Sequence, residues 1–151
     1  MIDSIQMMAG PEEINPKLED CQGSLHPMAE RGLELFNTRQ YWKAHEALEE
    51  AWRAETGQIR HLYRAILQVG VAYFHAQNGN YKGVMKLYRR SQRWLNPYPE
   101  NCRGIHVQEL RLDFEAFMAE VRRLGPERLS ELDPSLFKPV IWNDSSSRAN
   151  W

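Results

Sequence analysis

His45 and Glu49 stand four residues apart in "YWKAHEALEEAW", residues 41–52, a spacing that places both on one face of a helix. An imidazole and a carboxylate so placed can chelate one ion or exchange a proton. His61 or His75 from the next helical stretch would supply a third ligand, as helices do in carboxylate-bridged metal bundles. The Glu-x-x-His pair of those bundles is missing, because Glu46-Ala47-Leu48-Glu49 has no histidine at the required place. No metal, cofactor or catalytic residue is therefore assigned. The chain also carries no Ser-His-Asp order, phosphate-binding P-loop, CxxC pair or dinucleotide fingerprint.

At about 100° per residue, His45 and Glu49 share a sector with Tyr41, Leu48, Trp42 and Trp52, while Lys43, Glu46, Ala47, Glu50 and Arg53 point elsewhere and can face water. A carboxylate buried without partners costs on the order of several kcal/mol, so partners are expected close by. The following helix offers them on one stripe, Arg64, Gln68, His61, Ala72 and His75, with Leu62, Ile66, Val69 and Tyr73 on its other side. If the two helices run antiparallel about Thr56 and Gly57, Glu49 faces Arg64, His45 faces Gln68, and Tyr41 faces Ala72, one turn from His75. The expectation is a buried network of Tyr41, His45, Glu49, Trp52, Arg64, Gln68 and His75, in which His75 bonds a neighbour such as Tyr41. Such a network fixes helix register more than it adds stability.

Five helices must position these residues. The 3.6-residue period predicts them at Pro27 to about Asn37, Tyr41 to about Glu55, Ile59 to Asn78, Tyr81 to Leu95 and Ile105 to Leu124. Gly57 and Gly79 stop two of them, and Pro97 with Pro99 ends a third. No stretch alternates with period two, so strands are not expected. "NTRQYWKAHEAL" and "QNGNYKGVMKLY" form a weak repeat that matches Tyr41 with Tyr81 and Leu48 with Tyr88. The layout is an all-α bundle: two antiparallel helical hairpins with a C-terminal helix laid across them. Residues 1–26, interrupted by Pro11, Pro16, Gly10 and Gly23, read as a loosely attached arm. Residues 27–124 form the bundle, and 125–151 are an extension with a short helical turn and a Ser-rich tail.

Composition sets the class. The chain has 151 residues, 42% apolar and 26% charged, with a net charge of −1, the profile of one soluble globular domain without a global pull toward nucleic acid or anionic lipid. Cys21 and Cys102 fit no zinc spacing and suggest no disulfide framework, which makes a reducing, cytoplasmic setting the default. No leader or membrane-length apolar run is evident.

The combined string "FNTRQYWKAHEALEEAW" and "RAILQVGVAYFHAQNGNYKGVMKL" resembles the bacterial, cyanobacterial and plastid family called domain of unknown function 309. The matching positions are His45, Glu46, Glu49, Trp52, Leu67, Gln68, His75, Gly79, Asn80 and Gly83, within a resemblance running from about Met28 to Leu95. Gly70 and Val84 depart from it, since the family more often has Ala at both. The resemblance implies a small helical bundle and no established activity.

Two further features carry alternatives. "KLYRRSQRW" supplies Lys86, Arg89, Arg90 and Arg93 beside Tyr88 and Trp94, a pattern that suits an acidic partner or nucleic acid, although a solvated helix face explains it more simply and nucleic acid is not expected. Gly79, Asn80 and Gly83 read either as a tight hairpin turn or as a phosphate cradle at a helix start. The terminal "LFKPVIW" offers apolar surface for the body or another subunit. The reading is a protein-binding or scaffolding module with an unknown protein partner, no membrane association and room for self-association. The alternative is a metal-dependent or acid/base enzyme centred on His45, Glu49 and His75, and the balance goes against an enzyme.

Overall fold

The computed structural model describes residues 14–143. Among them five α-helices follow one another: α1 Pro27–Asn37, α2 Tyr41–Ala54, α3 Arg60–Gln77, α4 Tyr81–Leu95 and α5 Val107–Leu124. Pro27 opens α1 where its missing N–H costs nothing, and Nδ1 of His26 accepts from the Met28 amide to cap that end. Sequential helices pack as neighbours, so α2 lies between α1 and α3, and α3 pairs with α4. The all-α bundle read from the sequence is the fold.

The central position of α3 follows from its sequence. From His61 to Ala76 only Phe74 reaches partway to the surface. Gly70 permits this packing: a Cβ there would stand 3.3 Å from the Phe36 ring, so the aromatic residue of α1 rests almost on the α3 backbone. Around it Phe36, Tyr41 and Tyr73 make edge contacts with centroids 5.2 to 5.7 Å apart. Helix α5 closes the core from the other side, with Phe117 4.6 Å and Phe114 5.9 Å from the Tyr73 ring.

Four sequence expectations change. Ala47 is buried, not solvent-facing, because α2 is covered by α1 on one side and α3 on the other, which widens its apolar arc beyond a single stripe. A small antiparallel hairpin, Asn101–Cys102 with Ile105–His106, precedes α5. Two-residue strands are too short to show alternation, and Arg103 and Gly104 form its turn with positive φ. Cys21 and Cys102 form a disulfide across 81 residues of chain, a pairing that sequence spacing does not signal. The reducing setting argued from two free thiols loses its ground with it.

The arm is the fourth. Residues 1–13 lie outside the described residues, but the stretch from Ile14 onward is tied down rather than loose. Leu18–Cys21 forms a 3₁₀ turn. Arg103 donates from Nε to the Asp20 carbonyl and from Nη1 to that of Ser24, and the Arg103 amide donates to the Cys21 carbonyl. The His26 amide donates to the Tyr63 hydroxyl at 3.0 Å.

The C-terminal apolar segment docks on the body. Phe137 packs 5.5 Å from Tyr73 and 5.7 Å from Phe117, and Val140 exchanges two hydrogen bonds with the Asn37 side chain. Most of the Ser-rich tail, residues 144–151, falls outside the described residues. No helix among the described residues is long and apolar enough to cross a membrane.

Candidate functional site

Helix α2 brings His45 and Glu49 together as their spacing requires. His45 Nε2 lies 3.2 Å from Glu49 Oε2, and Glu49 Oε1 lies 2.6 Å from an Arg53 guanidinium nitrogen one turn further on. His45 is buried, whereas the Glu49 side chain keeps 13% of its exposure and opens with Glu46, Glu50 and Arg53 onto a shallow surface hollow. Burial pushes the His45 imidazole below its ordinary pKa, against the opposing pull of Glu49, so the ring is neutral near pH 7. Glu46 and Glu50 are exposed as the period predicts.

The expected His45–Gln68 hydrogen bond does not form. Both amide atoms of Gln68 are buried without a hydrogen-bond partner, while His45 Nε2 meets the Glu49 carboxylate and its ring is covered by the Trp42 indole, 4.7 Å away. Large aromatic rings, not facing ladders of polar side chains, fill the space between the helices. Arg64 is covered by aromatic rings as well. It is fully buried, and its guanidinium lies 4.5 Å over the Trp52 ring and 4.0 Å over the Trp94 ring, with His61 stacked on Trp94 as well. Two indole faces offset part of the cost of taking that cation out of water.

His75 goes elsewhere again. Tyr41 is not its partner, because the Tyr41 ring is held in the cluster of Phe36, Tyr73 and Phe137, and its buried hydroxyl has no hydrogen bond. His75 closes the turn between α3 and α4 instead. Asn80 caps α4, its Oδ1 accepting from the Gly83 amide at 2.9 Å, and its Nδ2 meets His75 Nδ1 at 3.3 Å. The cap fixes the amide orientation, so Nδ2 donates to Nδ1 and the neutral imidazole carries its proton on Nε2. Burial and the nearby Lys86 both lower the His75 pKa.

This turn forms one wall of a cleft of about 230 Å³ lined by His75, Asn80, Lys82, Gly83, Lys86, Leu87 and Arg90. Lys82, Lys86 and Arg90 succeed one another at four-residue steps on α4, which aligns them on one face. The stretch "KLYRRSQRW" contains Lys86 and Arg90 but not Lys82. The i, i+4, i+8 spacing was the available signal. Asn80 and Gly83 form the turn and also line the cleft.

The proposed trio is not assembled as a metal site. His75 faces this cleft while Glu49 opens onto the separate hollow of α2, and among the described residues no three His, Cys, Asp or Glu side chains gather closely enough to hold an ion.

Fold and site define an all-helical bundle with a basic cleft between two of its helices. Residues 29–87, from α1 to the middle of α4 and including every cleft-lining residue except Arg90, match the model of the family described as domain of unknown function (DUF309). An uncharacterized protein of Aquifex aeolicus (strain VF5) is 29% identical over 87 residues, covering 57% of this chain and 25% of that protein. The chain thus matches about a quarter of the length of that relative. No solved structure matches.

Proposed function

We propose that the protein is a binding module that recognises an acidic segment of a protein partner along α4. The charge pattern of this helix carries the reading. Lys82, Lys86, Arg89, Arg90 and Arg93 are its charged residues, with no Asp or Glu among the fifteen positions, in a chain whose net charge is −1. Stability alone would place acidic groups in the first turn, where the helix dipole is positive; Lys82 stands there instead. Lys82, Lys86 and Arg90 make no ion pair among the described residues, so their charge is directed outward. A helix held rigidly against the buried α3 presents these groups without a large ordering cost on binding.

A labelled Glu- and Asp-rich peptide, followed by fluorescence anisotropy, tests the reading. Binding is expected to weaken steeply as salt rises and to be lost in the K86E/R90E variant. Affinity unchanged in that variant contradicts it.

A further inference from the structure

We propose that the cleft between the α3–α4 turn and the first two turns of α4 holds a phosphoryl group, either of a phosphorylated side chain on the partner or of a free phosphate monoester. The proposal rests on the reading of α4 as a binding face and specifies what that face selects.

Three observations point to this chemistry. The first is the buried histidine. His75 is only 8% exposed, yet its ring lines the cleft. Asn80 occupies Nδ1, and Nε2 has no hydrogen-bond partner among the described residues. Because Asn80 donates to Nδ1, Nε2 carries the hydrogen and presents a fixed donor. A polar atom held this rigidly, on a side chain otherwise packed away, suits an acceptor oxygen arriving from outside.

The second observation is charge. Lys82, Lys86 and Arg90 line the same cleft, and no carboxylate does. Three like charges along one helix face repel each other at spacings of about 6 Å, and the first of them also opposes the helix dipole. An anion relieves both conflicts at once. One carboxylate brings a single charge and two oxygens, whereas a phosphate monoester brings about −1.5 to −2 charges and three acceptor oxygens at neutral pH. Local arrangements that work against the stability of the element carrying them are where function is expected.

The third is size and shape. Drug-sized and cofactor ligands occupy pockets of roughly 300 to 1,000 Å³, and at about 230 Å³ this cleft suits a head group rather than a nucleotide cofactor. Gly83 sets its floor. A Cβ at that position would stand 2.6 Å from His75 Cγ and 2.8 Å from Asn80 Nδ2, so the absent side chain is what lets the ring and the cap lie together at the helix start.

Isothermal titration with three probes tests the proposal: a Glu-rich peptide, the same peptide with one phosphoserine, and free phosphoserine. The phosphoserine peptide is expected to bind at least about tenfold tighter than its unphosphorylated form, with free phosphoserine competing. The H75F variant, which keeps a flat ring and removes Nε2, and K86Q should each erase that preference, while R89Q, outside the cleft lining, should leave the ratio unchanged. Equal binding of the two peptides without competition overturns the phosphoryl site and leaves the acidic-partner reading standing. Binding of free phosphoserine that requires His75 and Lys86, with neither peptide bound, supports the site, assigns its ligand to a small molecule and ends the partner reading. No binding of any probe overturns both.

Discussion

A Cβ added to Gly83 would stand 2.6 Å from Cγ of His75. The first turn of α4 and the last turn of α3 thus meet with no room for a methyl group, and that contact positions the ring facing the basic cleft. The atom in the way is at the base of the imidazole, so a small rotation does not relieve the clash.

Gly83→Ala is therefore expected to destabilise the fold by about 1 to 3 kcal/mol, despite the better helix propensity of alanine. Urea unfolding of the two proteins checks this. The companion change H75A removes the obstacle, so the double variant G83A/H75A should lose less than the two single losses combined. Strict additivity would show that the residues do not press on one another.

Opening the Cys21–Cys102 disulfide should loosen the 3₁₀ turn and the β-hairpin before the helices. The bond closes 81 residues of chain, and in the chain-entropy model a loop of that size stabilises by about 4.5 kcal/mol. Thermal melts of C21S/C102S against the oxidised protein should show a lower Tm with an unchanged helical circular dichroism spectrum at 20 °C. A variant that melts as the oxidised protein does would contradict the staple.

Acid should weaken the fold through two histidines. Burial lowers the pKa of both His45 and His75 in the folded protein. The unfolded chain then takes up protons near pH 6.5 that the folded chain refuses. Their contribution is complete above that pH and is lost as pH falls through it toward the lower folded values. Asp113 acts in the opposite sense, since burial raises its carboxyl. Urea midpoints measured from pH 8 to pH 5 are expected to fall, and H45Q/H75Q should flatten the slope between pH 7 and 5. A slope unaffected by that change would assign the acid sensitivity to other groups.

Arg64 should matter as filler and as cation. It is fully buried with an indole on two sides, so Arg64→Ala leaves a void and is expected to cost about 2 to 5 kcal/mol. Arg64→Met, which keeps most of the volume, should recover part of the loss. Tryptophan emission during urea unfolding reports both, since Trp52 and Trp94 are the contacting rings. A methionine variant less stable than the alanine one would mean that volume is not what the site needs.

Helix positions were legible because the period and the stop signals coincide: Tyr41, Tyr81, Gly79 and Pro97 sit where elements begin or end. The site was legible only in its members. His45, Arg64 and Gln68 are buried as the period requires, yet the rings that cover His45 and Arg64 are set by how indoles fill the space between helices, and helix angles alone do not encode that packing. His75 was read toward Tyr41, but Asn80, five residues on, reaches it first through the turn. The disulfide joins segments 81 residues apart, and no local pattern announces it. Lys82, Lys86 and Arg90 were countable at four-residue steps; the cleft beneath them was not, since it depends on Gly83 meeting His75.

The most direct test of α4 as the recognition face is amide chemical-shift mapping of the full chain titrated with the acidic peptide. Shifts are expected to concentrate at Asn80 to Arg90 and at His75 and to be lost in K86E/R90E, with the α2 hollow of Glu46, Glu49, Glu50 and Arg53 unmoved. Shifts centred on that hollow or on α5, with α4 unchanged, would contradict it.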